Sequence, residues 1–450
     1  MKMPRTLDAA FEHFKDKTIF IQEDKSVSYA NFKKLISSFV EKINLSNINK
    51  KGIIYYRAGN SINDIALLLA LVELKLTICL ISDDASEEQL MQYNESLAAN
   101  HVVKLSSDKS KFVVEQRAPN FSAIPKLVKD VQDRDHCCII LFSSGSSGKP
   151  KAIVYDFEKI VNKFSINSRS FVFFPVLKID HFGGLNTLLG IISSGSSAVL
   201  DNDKTVHKAI KLIQKHRIQI LPATPTFLKL LLLAPNFASV DLSSIKVITY
   251  GTEPMPSSLL DHLNQKLPGV KLKQTYGLSE VGVLATSSEN SNSTFVKIGG
   301  NGFEWKIKDN ILWIKSDFAM EGYIGLDAPF DEEGFFNTQD LVEVKGDYIK
   351  FLGRDSELIN IAGLKVYPQE IEDVLMTHPL VADVTCSSQS NSLVGTIIQA
   401  DVVIKHDANA RELKKELRLL CEKNLEKYKV PSRFIFSEKI VFSERMKKKR

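Results

Sequence analysis

The sequence predicts an α/β protein in which a large N-terminal domain of layered β-sheets and helices precedes a smaller α+β C-terminal domain. Three observations lead there. At 450 residues the chain is about three times the usual single-domain length, so two or three domains are expected, one with a large core. Its 44% hydrophobic and 25% charged residues are the composition of a packed globular protein. Up to about residue 350, β-rich apolar runs alternate with runs of helical period, the pattern of parallel strands covered by helices.

In order, those pairs are residues 52–58 with 62–75, 136–142 with 157–164, 196–200 with 208–217, and 218–223 with 225–234. Near 346–358 the texture changes to a hairpin strand and a polar turn. An amphipathic helix (368–378), two strands (381–388 and 395–404) and a charged helix (410–429) follow. The boundary is expected at 352/353, giving domains 1–352 and 353–450.

Charge and composition exclude several functions. Lys and Arg number 58 against 53 Asp and Glu, a net of +5, partly carried by Lys447, Lys448, Lys449 and Arg450. This is too small and unpatterned an excess for nucleic-acid binding as the main role. Five cysteines (Cys79, Cys137, Cys138, Cys386, Cys421) lack C-x-x-C spacing and read as buried, reduced thiols. The first 17 residues carry Asp8, Glu12 and Asp16 and no signal-length apolar core, so a cytoplasmic protein is expected. The most apolar run, 65–81, is broken by Glu73 and Lys75, short of the roughly 18 apolar residues of a membrane span.

The chemistry lies in Ser- and Gly-rich loops. After the apolar run 137–142 come Ser143, Ser144, Gly145, Ser146, Ser147, Gly148, Lys149, Pro150 and Lys151. Glycines let backbone amides turn inward, serines add hydroxyl donors and the lysines add charge, a combination suited to a polyphosphate. This is not a Walker A loop: two residues, not four, separate the glycines, and proline follows Lys149.

Here the chain resembles the adenylate-forming superfamily, the acyl- and aryl-CoA ligases, luciferases and nonribosomal adenylation domains, whose loop reads S/T-S-G-T-T-G-x-P-K-G. It matches at Ser144, Gly145, Gly148, Pro150 and Lys151, with serines for threonines and Ala152 for the last glycine. Other segments are similar in the family's own order. Tyr276, Gly277, Ser279 and Glu280 resemble the segment where an aromatic ring packs by adenine, a hydroxyl faces the phosphates and a glutamate serves magnesium. A carboxylate beside a phosphate loop repels it unless a divalent cation intervenes. Gly251, Thr252 and Glu253 resemble the turn lining the adenine and acyl pocket. Asp340 resembles the aspartate that accepts both ribose hydroxyls, with Gln339 where glycine is usual, and Arg354 is implied near the ribose.

Further along, Asp355 and Ser356 fall on the family's hinge, Ser356 standing where relatives carry aspartate or lysine. Gly363 resembles the glycine bordering the thiol channel. Lys447 falls on the terminal catalytic lysine, with Met446 in place of the usual glycine. His181, Phe182 and Gly183 resemble the acid pocket, His181 standing near the carboxylate. Phe182 occupies the place where amino-acid-activating relatives hold an aspartate, which would leave a substrate ammonium unpaired and disfavours α-amino acids.

The resemblance implies ATP-dependent activation of a carboxylic acid as an acyl-adenylate, with Mg2+, and transfer to a thiol. The acid is left as fatty, short-chain or aryl, and the thiol as coenzyme A or the phosphopantetheine of an acyl carrier protein; a noncatalytic nucleotide-binding relative is the alternative, since Ala152, Gln339, Ser356 and Met446 depart from the family's pattern.

Overall fold

The computed structural model describes residues 3–46, 48–107, 111–116, 124–144, 150–203, 205–235, 237, 240–361, 363–391, 395–404 and 410–437. The expected alternation of strands and helices builds two seven-stranded sheets. In the first, Lys271–Gln274, Val247–Tyr250, Ile220–Ala223, Val172–Phe173, Ser197–Val199 and Thr18–Gln22 run parallel, and Lys25–Ser28 closes one edge antiparallel. The second has a parallel centre (Cys138–Ser144, Thr77–Ser82, Ile53–Ala58, His101–Leu105) with antiparallel strands at both ends.

The apolar stretch that falls short of a membrane span is the helix Ile62–Glu73 followed by the strand Thr77–Ser82. The helix is buried from Asp64 to Val72, hydrophobic all round because it lies inside the main core. Its start is fixed by a capping box in which Ser61 and Asp64 satisfy each other's backbone amides. Among the described residues, no helix is long and apolar enough to cross a membrane.

A third sheet of six strands is antiparallel throughout and departs from the expected alternation. Two of its connections are two-residue turns, at 309–310 and 346–347, and the others are loops without a helix. Asp309 (φ 55°) and Asn310 (φ 61°) both occupy the left-handed region between Phe303–Lys308 and Ile311–Ser316, as a two-residue type I′ hairpin requires. Asp and Asn tolerate that region better than other non-glycine residues, so the local sequence suits the turn.

The strand Tyr348–Arg354 carries the chain past the expected boundary as part of this third sheet. A separate core then forms from Ile359, Val366, Ile371, Leu375, Val384, Leu417, Phe434 and their neighbours. That unit contains the helix Pro368–Leu375, the antiparallel pair Val381–Asn391 and Gly395–Ile404, the helix Ala410–Asn424, and a strand Arg433–Ser437 parallel to Gly395–Ile404. Among the described residues, an ion pair runs from Lys229 on the helix Pro225–Leu232 to Asp383 of this unit (3.2 Å), with side chains only 17% and 15% exposed.

Candidate active site

The strands on either side of the phosphate-loop segment pair with each other. Cys138–Ser144 and Pro150–Asp156 run antiparallel with Ser143 opposite Lys151 and Ser144 opposite Pro150. Gly145, Ser146, Ser147 and Gly148 lie outside the described residues, as does Lys447. The strand leaving the loop pairs on its far side with Gly322–Tyr323, which sets the Tyr323 ring 5.3 Å from Lys151 Nζ.

Tyr323 reaches the next motif. Its hydroxyl donates to Glu280 Oε1 (2.7 Å), the Met320 amide donates to the Glu280 carbonyl (2.9 Å), and the Tyr155 hydroxyl donates to the Ser279 carbonyl (2.7 Å). Three contacts from two elements thus hold the Ser279–Glu280 turn against the strand that leaves the phosphate loop. Burial, with Glu280 nearby, pushes the Tyr323 hydroxyl far above its ordinary pKa, so it remains a donor.

Gly277 begins the short hairpin Gly277–Leu278 with Gly282–Val283. A Cβ there would stand 2.6 Å from the Gly282 carbonyl oxygen and the Val283 Cα, so only glycine fits.

A second cluster surrounds Asp340. In the third sheet Asp340 lies directly opposite Arg354, and the Arg354 Nε is 3.6 Å from Asp340 Oδ1. The Tyr276 hydroxyl donates to Asp340 Oδ2 (2.6 Å), and the Tyr276 ring stacks on Phe351 with centroids 4.1 Å apart. One face of Tyr276 is therefore covered, and a base packing on it would use the other. Burial raises the Asp340 carboxyl above its ordinary pKa, Tyr276 and Arg354 pull it down, and Glu357 and Glu280 add to the rise. A carboxylate so placed gains by accepting hydrogen bonds from hydroxyl donors. Gln339 beside it has φ 60°, which explains why glycine would suit the position.

Gly251 and Thr252 form the turn after Val247–Tyr250, Thr252 in the left-handed region at φ 72°. Glu253 turns to the helix Pro225–Leu232, accepting from the Thr226 amide and hydroxyl (both 2.9 Å) near the helix N-terminus. Through that helix the turn is linked to Lys229 and so to Asp383.

His181 is the residue before the helix Phe182–Ser194 and stands 3.9 Å from the nearly buried Asp180. The preceding loop folds hard onto the helix start: a Cβ at Gly184 would lie 1.9 Å from the Lys178 carbonyl oxygen. Phe182 packs on Tyr155 with centroids 5.2 Å apart, and its ring lies beside Gly282. Gly183 follows on the same turn, next to Leu177.

Asp355 and Ser356 lie in a short 3-10 turn, Asp355–Glu357, immediately after the third sheet. Gly363 (φ 90°) turns the small hairpin beyond it, its amide donating to Asn360 Oδ1 (2.8 Å).

The structure thus gathers Tyr276, Asp340 and Arg354 in one cluster and Ser279, Glu280 and Lys151 in another, the two coupled through the charge of Glu280 on Asp340. Gly363 lies in the small unit. The sequence reading missed Tyr323, Thr226 and the stacking role of Phe351, because each acts through a partner 27 to 75 residues away. Among the described residues no group of three His, Cys, Asp or Glu side chains could hold a metal by itself. Glu280 fits a hard cation of the magnesium type, which is held by one or two carboxylates and completed by phosphate oxygens and water.

A phosphate-loop hairpin, a carboxylate beside it and an aspartate–arginine pair on a neighbouring sheet define a nucleotide-binding enzyme of the adenylate-forming type. The chain belongs to the AMP-binding enzyme family: that family's model matches residues 7–324, and the model of the AMP-binding enzyme C-terminal domain matches 370–444.

Among curated relatives, it is 29% identical to 4-coumarate-CoA ligase 1 of Narcissus pseudonarcissus over 68% of this chain and 62% of that protein. It is 27% identical to 4-coumarate--CoA ligase-like 2 of Arabidopsis thaliana over 63% of this chain and 55% of that protein. The chain thus spans under two thirds of these plant relatives. The 2-succinylbenzoate--CoA ligase of Bacillus subtilis (strain 168) is 23% identical over 94% of this chain and 92% of that protein.

Solved structures establish the fold. The anthranilate CoA ligase AuaEII bound to anthranoyl-AMP aligns with TM-score 0.80 at 16% identity, over 99% of this chain and 95% of that one. The o-succinylbenzoate CoA synthetase of Bacillus subtilis with its acyl-adenylate aligns with TM-score 0.77 at 21% identity, over 98% and 96%.

Proposed function

We propose that the chain joins a carboxylic acid to the α-phosphate of ATP, releasing pyrophosphate, and passes the acyl group from the resulting adenylate to the thiol of coenzyme A. The observation that carries this reading is the meeting of Asp340 and Arg354 on neighbouring strands with the Tyr276 hydroxyl, while Glu280 is tied by Tyr323 to the strand that leaves the phosphate loop.

Asp340 accepts the two ribose hydroxyls and Arg354 stands beside it. Ser143, Ser144, Gly145, Ser146, Ser147, Gly148 and Lys151 hold the phosphates, with Ser279 facing them. Glu280 would hold a magnesium ion, which would supply positive charge beside the phosphates. Lys447 bridges the acid and the α-phosphate oxygens, stabilising charge that develops only during transfer. His181, Phe182 and Gly183 border the acid, and Gly251, Thr252 and Glu253 the adenine side. Coenzyme A as acceptor is supported by the relatives, which are named as coenzyme A ligases.

Thiol transfer follows a swing of the small unit about Asp355 and Ser356, which brings Gly363 to the thiol channel. ATP–pyrophosphate exchange across fatty, short-chain and aryl acids, with Lys447→Ala alongside, tests the first step. Exchange with one acid class, abolished in the variant while ATP still binds, supports the reading. Equal loss of exchange and ATP binding, or no loss of either, would remove Lys447 from its role. Silence of the wild type across the whole panel, with dicarboxylic acids added to it, would remove the adenylation reading.

A further inference from the structure

Lys163 follows the helix Phe157–Asn162, and its side chain is turned away from bulk solvent. Its Nζ donates to Asn186 Oδ1 (2.6 Å) and to the Val283 carbonyl (2.5 Å) and stands 5.4 Å from the Phe164 ring centroid. Both acceptors are neutral, and among the described residues Lys163 enters no ion pair; burial alone drops its pKa to about 8. An ammonium has three donors and two are used here, both on neutral acceptors, so among the described residues its charge is uncompensated.

Its partners give it a place relative to the acid pocket. Asn186 lies one helical turn beyond Phe182 on the same face. The Phe182 ring lies beside Gly282, while Asn186 is tied through Lys163 to the next residue, Val283. The helix Phe182–Ser194 and the strand Gly282–Val283 therefore run side by side as two walls. The Lys163 ammonium bridges them about 6 Å further along the helix than His181 and Phe182. Lys163, Asn186 and Val283 are each only partly buried, so the cation is not sealed into the core.

We propose that Lys163 is a specificity-determining residue that selects an acid carrying a second negatively charged group, roughly one aromatic ring's length (~6 Å) from the carboxylate that is activated. The inference rests on the reading of His181, Phe182 and Gly183 as the acid pocket. An anion arriving at Nζ completes an ion pair that the protein leaves open, whereas an apolar tail strips the ammonium of remaining water and gives nothing back.

Two non-hydrolysable adenylate mimics test this, benzoyl-sulfamoyl adenosine and 4-carboxybenzoyl-sulfamoyl adenosine, which differ only in the distal carboxylate. Calorimetric binding to the full wild-type chain is expected to favour the 4-carboxy compound at least tenfold. Lys163→Met is expected to erase that ratio and Lys163→Arg to keep most of it. Equal binding of the two by wild type, or a ratio that survives Lys163→Met, overturns the proposal and leaves the adenylation reading standing. Failure of wild type to bind either compound overturns both.

Discussion

Replacing Lys163 by methionine should change how stability depends on pH, by an amount that follows from the structure. The Lys163 amine drops from 10.5 to about 8 through desolvation alone. Each pKa unit is worth 1.36 kcal/mol, so carrying the ammonium in the folded state costs about 3 kcal/mol at neutral pH. The folded amine binds fewer protons than the unfolded one between pH about 8 and 10.5, so this group makes stability rise with pH across that window. Below the window both states are charged and the cost is constant.

Lys163→Met removes the titration and the cost together, but it leaves Asn186 Oδ1 and the Val283 carbonyl without this donor, at about 1 kcal/mol or more each. At pH 7 the two effects nearly cancel. Between pH 7 and pH 10 the wild type should gain on the variant by about 2 to 3 kcal/mol, since titration is not quite complete at pH 10. Urea unfolding of both proteins at several pH values gives the difference directly, because other titrations are common to both. A gap between wild type and variant that stays constant within about 0.5 kcal/mol over this range would refute the buried-ammonium argument, since the expected change is several times larger.

Two further outcomes are expected. Tyr323→Phe removes a hydrogen bond to a carboxylate worth about 1.5 to 3 kcal/mol, so Glu280 loses its fixed orientation. A magnesium titration of pyrophosphate exchange on the folded variant should then show a several-fold higher ion requirement, and an unchanged titration would count against the positioning of Glu280. Lys229→Glu puts two acids together where an ion pair joined the units, and should speed limited proteolysis near Asp355–Glu357. Adding Asp383→Lys should restore the wild-type rate, and a double variant as labile as the single one would show that the pair does not hold the units together.

How much of this was legible in the sequence depends on how far each signal lies from its partner. Runs such as 137–142 and 220–223 are strands because unbroken apolar segments fit a sheet buried on both faces, and that is local information. The third sheet was not legible from alternation. Its strands read apolar and polar in turn, and its connections are turns such as Asp309–Asn310 or loops without a helix, which carry no helical period.

In the candidate site, Tyr276, Glu280, Asp340 and Arg354 stood out by type and order, and the cross-strand register of Asp340 with Arg354 accounts for two of them meeting. Tyr323 had no local mark. It matters because one strand pair places it over Lys151 and one hydrogen bond ties it to a glutamate 43 residues earlier. Lys163 was hidden in the opposite way. A lysine at the end of an amphipathic segment looks like a solvated charge, and only the packing of two distant elements around it shows that it is buried. The turn at Thr252 was read as lining the pocket, but the use of Glu253 as the acceptor of Thr226 depends on the neighbouring helix and could not be seen from the turn itself.

The five buried cysteines bear on how thiol transfer can be watched. All are free and buried, and desolvation pushes the Cys79, Cys137 and Cys138 thiols far up and Cys421 to about 12. Since the thiolate is the reactive form, the folded chain offers no competing nucleophile from these positions to a thioester or to a disulfide reagent. A colorimetric thiol reagent added to a reaction would therefore read the acceptor's sulfur alone while the fold lasts, and a slow rise in signal without acceptor would time the opening of the core.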